Sequence, residues 1–571
     1  MKQYITSKKT KSNGTVNKPV PKREAQSVQN YGGGYSLKVS PETCLERFLI
    51  LGVEGSYYNI PKNKEDAQKL LVAENTKNVL SLLHDNPDLV LNKVAEIRKE
   101  KRAISNDPAL YVLAHACNSP NQTTKIKAYD MIEDICGTGT DLFHFLEMVT
   151  SLRGWSAGLR KGVSKWYTEK NWDRLVYQTL KYRQRDGWSQ KDAIRCAHPR
   201  TTSIEKNLLF DYFVNGKTEN LENFCKYKSD ECKGSKQILA FLEIQNWKQE
   251  EKSAEQTKRL VKLILFADLT HEMIPTWYKN VPEVQEALLQ KMPVLATIRM
   301  LPSLTMSGLV GPFSAATKLI VDRITDSYQL IKAGVHPLQV LVASRVYGQG
   351  YGFKGSGVWT PDPKIVGALE DTFDLSFKSA PITGKNYMIS VDVSASMSSL
   401  FQETPLLYCE AAACIALTMV KREPSTHTMC FSNKLNVLGL TEKDTLQSAT
   451  QKARMYNTAS TDAGLPIEYA IKNELPVDVF LHITDNDFNS GKHPLLLTEE
   501  FRKKMGRPTT RLISLGMIPY TYGIGSKRTS FGSLKEDPYV LDIAGFDSSI
   551  PKLISAFCSD KKESILDEDE E

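Results

Sequence analysis

Two short apolar segments that each run into an aspartate place the strongest constraint on the fold of this chain. Residues 387–391 lead into Asp392, and residues 479–484 lead into Asp485. An apolar run that ends at a turn signal is typical of a parallel strand covered on both faces. Open α/β sheets bind ligands just beyond the carboxyl ends of such strands. The pattern therefore predicts a doubly wound, Rossmann-type α/β domain with a polar site at that edge.

The polar residues beyond these segments offer oxygen ligands for a metal ion. The candidates are Asp392, Ser394, Ser396, Thr461 and Asp485. Hydroxyl and carboxylate oxygens with few charges among them suit Mg²⁺. A turn followed by a helix N-cap uses the same residue types, so the first segment alone leaves both interpretations open. The order Asp-x-Ser-x-Ser, then Thr, then strand-Thr-Asp resembles the metal-ion-dependent adhesion site of von Willebrand factor A domains.

Cysteine usage and hydropathy indicate the compartment. The ten cysteines are scattered and form no Cys-x-x-Cys pair, which is typical of free thiols in a reducing environment. The sequence has no run of 18 apolar residues, and its N-terminus lacks the apolar core of a secretory signal. These features predict a cytoplasmic protein without a membrane partner, and they leave any nuclear share open. They count against an extracellular adhesion protein.

We divide the chain into four parts. Residues 1–30 are polar and basic and predict a disordered arm, and residues 561–571 form an acidic tail. Residues 31–370 show helical periodicity, and residues 381–560 form the α/β domain. Residues 1–380 carry an excess of twelve basic residues, whereas residues 381–571 carry an excess of five acidic ones. This asymmetry indicates a polyanion partner for the first half, although a solvated surface accounts for so modest an excess equally well.

The first half reads as a long array of helices. Apolar residues recur three and four positions apart, as in Leu45, Phe48 and Leu49, and Pro, Gly or Asn punctuates the junctions, as at Asn86-Pro87 and His336-Pro337. An array of helix pairs without an evident strand predicts an α-solenoid, in which each pair buries its apolar face against the next. No repeat of fixed period is visible, so this prediction depends on helix density alone.

Residues 151–198 differ chemically from the rest of the array. We expect three consecutive helices here, over about 151–167, 172–185 and 189–198, with Gly187 ending the second and His198 capping the third. The first two of these helices carry Arg153, Arg160, Lys161, Lys165, Arg174, Lys181 and Arg185. Like charges one turn apart destabilise a helix, so this cluster favours polyanion binding over a solvent-exposed surface without a ligand. We expect Trp155, Trp166 and Trp188 to be core residues.

A family resemblance covers most of the chain. Residues 30–363 resemble the TROVE module, with the motifs Arg47-Phe48-Leu49-Ile50-Leu51-Gly52-Val53-Glu54-Gly55, Tyr57-Tyr58, Ser151-Leu152-Arg153-Gly154-Trp155, Gly158-Leu159-Arg160-Lys161, Lys181-Tyr182-Arg183-Gln184-Arg185-Asp186-Gly187-Trp188-Ser189 and His336-Pro337. Followed by an A-type domain ending in Ala544-Gly545-Phe546-Asp547, this order is similar to that of the Ro autoantigen family of small-RNA ribonucleoproteins.

The resemblance implies a fold and a function. It implies HEAT-like helices closed into a ring, with the A-type domain joining the two ends. It further implies a monomeric protein that binds Y RNAs on a basic outer surface, and misfolded small noncoding RNAs by threading single-stranded 3′ ends through a central hole, for RNA quality control and stability. The implied RNA contacts are Lys181, Arg185 and His198, with Arg153, Arg160 and Lys161 at basic motif positions. The five oxygen-bearing residues named above correspond to the family's Mg²⁺ site.

The sequence also bears on two other functional classes. The sequence has no Gly-x-x-x-x-Gly-Lys-Ser/Thr loop, no Gly-x-Ser-x-Gly elbow and no His-Glu-x-x-His motif, so we expect no enzymatic activity. Asp485 and Asp487 suggest a two-metal nuclease, but serine and threonine ligands supply too little charge to hold two metals. The alternative function is a protein-interaction scaffold, in which a carboxylate of a protein ligand completes the Mg²⁺ shell of the A-type domain.

Overall fold

The computed structural model describes residues 27–30, 35–52, 74–103, 105–352, 356–377, 381–401, 404–456, 460–518, 520–524 and 537–559. The predicted acidic tail, most of the predicted basic arm and the motif positions 53–55 and 57–58 lie outside these residues. In the described part of the chain, no helix is long and apolar enough to cross a membrane.

The helices of the first half follow one another closely. They are α1 Pro41–Leu51, α2 Glu74–Asp85, α3 Pro87–Glu100, α4 Asp107–Cys117, α5 Gln122–Asp130, α6 Ile132–Ile135, α7 Gly139–Leu152, α8 Ala157–Thr168, α9 Trp172–Lys181, α10 Gln190–Ala197, α11 Ile204–Asn215, α12 Glu219–Lys228, α13 Lys233–Gln245, α14 Ala254–Ala267, α15 Pro282–Lys291, α16 Val294–Met306, α17 Ala315–Ile324, α18 Ser327–Ala333, α19 Pro337–Gln349 and α20 Pro363–Ser376. Most of them pack mainly against helices near them in the sequence, and one continuous apolar core runs through the array. The predicted α-solenoid is confirmed.

The two ends of the helical array meet. Lys101, just after α3, donates from Nζ to the carbonyl of Lys332 in α18 at 2.8 Å. The carbonyl of Arg102 lies 3.3 Å from Nε2 of the buried His336, the residue that caps α19. These contacts join segments more than 230 residues apart, so the array closes on itself instead of continuing as an open superhelix.

The second half is the predicted α/β domain. Its strands are β5 Asn386–Asp392, β6 Ser425–Phe431, β7 Leu435–Val437, β8 Val479–Thr484, β9 Arg511–Gly516 and β11 Val540–Ala544. They form one sheet in the order β11-β9-β8-β5-β6-β7, in which only β7 is antiparallel to its neighbour among the described strands. Its helices are α21 Tyr408–Arg422, α22 Leu446–Arg454, α23 Leu465–Lys472, α24 Pro494–Lys504 and α25 Ile550–Cys558.

A hairpin at the start of the chain joins the two halves. Strands β1 (Ser27–Gln29) and β2 (Tyr35–Lys38) pair antiparallel, and β2 continues this sheet with β10 (Tyr522–Gly523) of the α/β domain. The boundary expected at residue 30 falls inside this hairpin. The backbone hydrogen bonds of a short N-terminal strand are thus satisfied by a partner almost 500 residues away.

Buried ion pairs reinforce this junction. Arg47 of α1 is fully buried, and its Nη2 lies 2.7 Å from Oδ1 of Asp542 in β11. Arg102 lies 3.4 Å from Asp547, which directly follows the sheet, and it also pairs with Glu46 of α1. The start of the array, its closing end and the α/β domain therefore meet around Arg102.

One helix ends earlier than the sequence indicated. The expected helix over 172–185 stops at Lys181, and β3 (Gln184–Arg185) and β4 (Trp188–Ser189) form a small hairpin after it. Both central residues of the turn, Asp186 and Gly187, have positive φ, +50° and +79°, as a type I′ turn requires. Gly187 therefore serves the hairpin and not a helix end, and Arg185 does not share a helical face with Arg174 and Lys181. Ser189 caps α10, and its side chain forms a capping box with that of Asp192.

The closure of the array is expected to weaken in acid. Burial lowers the pKa of His336 to about 4, whereas the imidazole of an unfolded chain takes up its proton near pH 6.5. The unfolded state therefore binds more protons between these values. The stability contribution is complete above pH 6.5 and is lost as the pH falls towards 4, by about 3 kcal/mol in total.

Urea unfolding midpoints at pH 7.5 and pH 4.5 measure this effect. His336→Asn keeps a side chain that can cap α19 and should reduce the pH dependence of unfolding. His84→Asn, at an exposed position, is the matched control and should leave the pH dependence unchanged. An equal pH dependence in all three proteins would contradict the expectation.

Candidate nucleic-acid interface and metal centre

The hairpin β3–β4 presents Arg185 to solvent. The turn of this hairpin is anchored to α7, because the carboxylate of Asp186 lies 3.0 Å from Nε2 of His144. The Nδ1 atom of the same imidazole lies 2.9 Å from Asp107 of α4. An imidazole between two carboxylates thus anchors the hairpin to two helices, and Arg185 at its tip is exposed.

Lys181 lies in a different environment from the one expected. Its side chain is only 16 % exposed. Its Nζ donates to the hydroxyl of Tyr177 at 3.1 Å and lies 5.3 Å from the ring centroids of Tyr177 and Tyr182. Burial lowers the pKa of Lys181, but the nearby Tyr182, Tyr177 and Glu272 outweigh burial and raise it. Lys181 is therefore a charged but largely enclosed ammonium group, in contrast to the open Arg185.

The remaining predicted RNA contacts differ in exposure. Arg153 caps the end of α7 and donates to the carbonyl of Cys117 at 3.3 Å, so it is half-buried. Arg160 and Lys161 are exposed on α8. His198 is exposed and takes the left-handed conformation, with φ +48°, that ends α10. The expectation that His198 caps a helix is confirmed.

The structure adds cations that the sequence reading missed. Lys191 and Arg195 of α10 and Arg200 beyond it are exposed. Burial and Asp192 raise the pKa of the Cys196 thiol, and the nearby Arg160 opposes this rise. Because α8 also packs against α10, the two helices present their cations side by side. The spacing of Lys191 and Arg195, one helical turn apart, is the signal that could have identified them.

These cations have no acidic partners in the described part of the chain. We define the cationic surface as the exposed residues Arg160, Lys161, Arg185, Lys191, Arg195, His198 and Arg200. None of them forms an ion pair with another described residue, and the nearby Asp192 accepts hydrogen bonds from Ser189. Cations on neighbouring faces do have partners, since Lys165 pairs with Asp130 and Lys170 pairs with Glu133.

The tryptophans beside this surface pack inward. Trp166 is fully buried and donates from Nε1 to the carbonyl of Cys136, which confirms its predicted core role. Trp155 and Trp188 are half-buried against the core, with ring centroids 6.0 Å apart. The Nε1 atom of Trp188 donates to Oε2 of Glu147 at 3.3 Å. These rings support the helices beneath the cationic surface.

The candidate metal ligands gather at the carboxyl ends of β5 and β8. The Oδ1 atom of Asp392 accepts from the backbone N–H of Ser394 at 2.9 Å, and its Oδ2 atom accepts from the hydroxyl of Thr484 at 2.6 Å. The hydroxyl oxygens of Ser394 and Ser396 are 3.2 Å apart. Burial raises the pKa of Asp392 to about 6. The two strands are neighbours in the sheet, which brings this loop beside Asp485.

Among the candidate ligands, the environment of Asp485 gives the strongest indication of a cation site. It is fully buried, and its Oδ1 accepts from the N–H of Asp487 at 2.8 Å. None of the described residues meets its buried Oδ2 atom with hydrogen-bond geometry. Burial and the charge of Asp392 raise the pKa of Asp485 well above its usual value, although the nearby Ser396 hydroxyl lowers it. Two buried carboxylates with an unmatched oxygen fit a divalent cation.

Thr461 reaches this edge from a third loop. It is 5 % exposed, and residues 489 and 490 hold its backbone. Its N–H donates to Oδ1 of Asn489 at 3.1 Å, and its carbonyl accepts from the hydroxyl of Ser490 at 3.0 Å. Thr461 is thus tied to the loop after Asp485, and Thr484, which the sequence reading did not assign to the site, fixes Asp392. In the described residues, no three His, Cys, Asp or Glu side chains cluster as a metal site, so a site here uses few charges.

Comparison with known families follows the same division of the chain. A family model described as the TROVE domain matches residues 28–345, which is more than half of the chain. A model described as the Ro60 vWA domain matches residues 386–558. The chain belongs to the Ro60 family. The resemblance drawn from its motifs is thereby confirmed.

Relatives of this Ro60-family chain match it over nearly its whole length. An RNA-binding protein RO60 of Deinococcus radiodurans is 32 % identical over 548 residues, covering 95 % of this chain and 97 % of that protein. An RNA-binding protein RO60 of Caenorhabditis elegans is 30 % identical over 604 residues, covering 94 % of this chain and 90 % of that protein. The crystal structure of the Deinococcus radiodurans RO (RSR) protein matches with a TM-score of 0.66 at 31 % identity, covering 91 % of this chain and 99 % of that one.

Proposed function

We propose that this protein binds small noncoding RNAs, with Y RNAs on the cationic surface and misfolded small RNAs through their single-stranded 3′ ends, which enter a hole at the centre of the closed helical array. In this role it serves small-RNA quality control and stability in the cytoplasm, as a monomer and not as an enzyme. The observation that supports the proposal is the set of exposed cations on α8, α10 and the hairpin that have no acidic partner among the described residues.

The physical basis is electrostatic. Unpaired cations held side by side repel one another, and a phosphate backbone relieves this repulsion while it releases its own counterions. Arg side chains also match phosphate oxygens in a bidentate geometry. The hairpin adds specificity of position, because the anchored Asp186 fixes where Arg185 meets the RNA.

Removal of four cations is expected to weaken binding strongly. We expect the variant Arg160→Ala, Lys161→Ala, Arg185→Ala, Arg195→Ala to bind a structured small RNA at least about 100-fold more weakly at 0.1 M salt, because up to four phosphate contacts are lost. The slope of log affinity against log salt should become shallower by about 0.9 for each lost duplex contact. Fluorescence anisotropy with a labelled RNA from 50 to 200 mM salt measures both.

A variant with the same charge change tests position against net charge. Four exposed lysines of the α/β domain serve for this control, namely Lys443, Lys472, Lys503 and Lys552. Their replacement by alanine should leave RNA affinity within about twofold of wild type. Equal losses in both variants would show that only net charge matters, and an affinity that is flat across the salt range would reject the proposal.

We further propose that the α/β domain binds Mg²⁺ through Asp392, Ser394, Ser396, Thr461 and Asp485, and that a carboxylate of a protein ligand completes the ion's shell. The buried Oδ2 atom of Asp485 supports this second role. A bound ion would supply positive charge that offsets the two buried carboxylates and attracts an acidic side chain of the protein ligand. A scaffold function of this kind is compatible with RNA binding by the helical array.

A further inference from the structure

A groove between α17 and α20 forms a cavity outside the cationic surface. Its cavity has a volume of about 610 Å³, which falls within the rough range of 300–1,000 Å³ found for small-molecule sites. Its walls include Phe313, Thr317, Lys318, Lys364, Gly367 and Asp371. A Cβ atom added at Gly367 would meet nothing within 4 Å, so the α20 side of the groove is open.

Phe313 is held in an unfavourable conformation at the mouth of this groove. Its side chain is 96 % exposed, and its backbone has φ +64°. A bulky residue rarely adopts a left-handed conformation, and an exposed phenyl ring gains little from packing. Strained residues of this kind concentrate at functional sites. A ring that is both strained and exposed therefore indicates a ligand.

The side chains around the ring indicate the chemistry of that ligand. The ammonium group of Lys364 lies 5.5 Å from the ring centroid of Phe313. Neither Lys364 nor Lys318 forms an ion pair with a described residue, so both charges can meet an anion. Asp371 lies about two turns further along α20, is exposed, and offers a hydrogen-bond acceptor. An exposed aromatic face with free cations beside it is the arrangement by which proteins bind single-stranded nucleic acid without a defined sequence.

We propose that this groove binds one unpaired nucleotide of a single-stranded RNA segment, with the base stacked on Phe313, the flanking phosphates at Lys318 and Lys364, and a base amino group at Asp371. The inference depends on the proposed RNA-binding function and adds a second, separate contact to it. Charge complementarity favours RNA over a protein segment, because the two free lysines outnumber the one carboxylate at a site whose main apolar group is a flat ring.

The test uses decamers of uridine and of adenosine, with a blunt RNA duplex of the same length as a comparison. In the Phe313→Trp variant, stacking of a base should quench the added tryptophan fluorescence, taken as the difference from wild type. The single strands should quench it and the duplex should not. Absence of quenching by either decamer would overturn the proposal.

Two further variants separate binding from folding. Phe313→Gly removes the ring and relieves the backbone strain, so we expect a higher melting temperature together with decamer binding about 5- to 150-fold weaker, the range of one lost base stack. Gly367→Leu fills the groove on a helix that tolerates leucine, and it should weaken decamer binding without lowering the melting temperature. A Phe313→Gly variant that melts lower would show that the ring is structural, which would overturn the proposal.

Failure of this inference is distinguishable from failure of the RNA-binding function. Phe313→Gly should bind a structured small RNA through the cationic surface as wild type does. If the four-cation variant loses that RNA while Phe313→Gly binds decamers normally, only the groove proposal fails. If neither variant changes any RNA affinity, both proposals fail, and a protein that protects the groove in cross-linking would become the alternative ligand.

Discussion

Replacing Arg47 with methionine is expected to lower the free energy of unfolding by about 3–5 kcal/mol, because it leaves Asp542 as an uncompensated buried charge. Arg47 also donates to the carbonyl of Tyr522 at 2.8 Å, and that acceptor would lose its partner as well. Burial raises the pKa of Asp542, and the charge and hydrogen bond of Arg47 oppose this rise. Urea titration followed by circular dichroism measures the loss.

Two companion variants identify the cause. Arg47→Met combined with Asp542→Asn removes both charges of the pair and should recover a large part of the lost stability. Lys93→Ala breaks an exposed pair with Glu96 and should change stability by less than about 1 kcal/mol. A double variant no more stable than Arg47→Met would mean that the loss comes from packing or from the carbonyl contacts and not from the buried charge.

Mg²⁺ is expected to stabilise the wild-type protein and to have no effect on Asp485→Asn. At a Mg²⁺ concentration about a thousand times the dissociation constant, binding to the native state alone adds ~4 kcal/mol to the free energy of unfolding. Without Mg²⁺ the variant should be at least as stable as wild type, because it removes the repulsion between two buried carboxylates. The order of stability of the two proteins should therefore reverse as Mg²⁺ is added. Thermal melts with and without the ion measure this reversal.

Glu442→Gln is the control for the loss of one acidic residue from the same domain. Glu442 is exposed, so this variant should respond to Mg²⁺ as wild type does. An equal rise in melting temperature for wild type and Asp485→Asn would show that the ion acts elsewhere. The protein-ligand role of the site would then lose its support as well.

The sequence came close to the correct local structure around the cationic surface but placed Arg185 wrongly. Arg174, Lys181 and Arg185 are spaced i, i+7 and i+11, which would place all three on one face of a helix. The Asp186-Gly187 pair is itself a strong signal for a two-residue hairpin turn. Tertiary contacts decided in favour of the hairpin, since His144 binds Asp186 from another helix. No local pattern reveals a partner 42 positions away in the chain.

Exposure was equally out of reach of local patterns. Lys181 and Arg185 are both basic motif residues, yet one is enclosed by two tyrosines and the other is open to solvent. The packing of α8 against α10 decides that Lys191 and Arg195 lie beside Arg160 and Lys161 in one surface. The strain of Phe313 has no sequence signature, because no local preference favours a positive φ at a phenylalanine.

The sequence by itself determined most of the helices, the strand-and-aspartate pattern, the family and the residue types of the proposed metal site. It could do so because periodicity, capping and turn preferences act over a few residues. The tertiary structure alone decided which ends meet, where charges are buried and which cations remain unpaired. These properties depend on contacts between residues hundreds of positions apart, such as Lys101 with Lys332 and Arg47 with Asp542. Such contacts form, and stabilise the protein, only after the chain has folded.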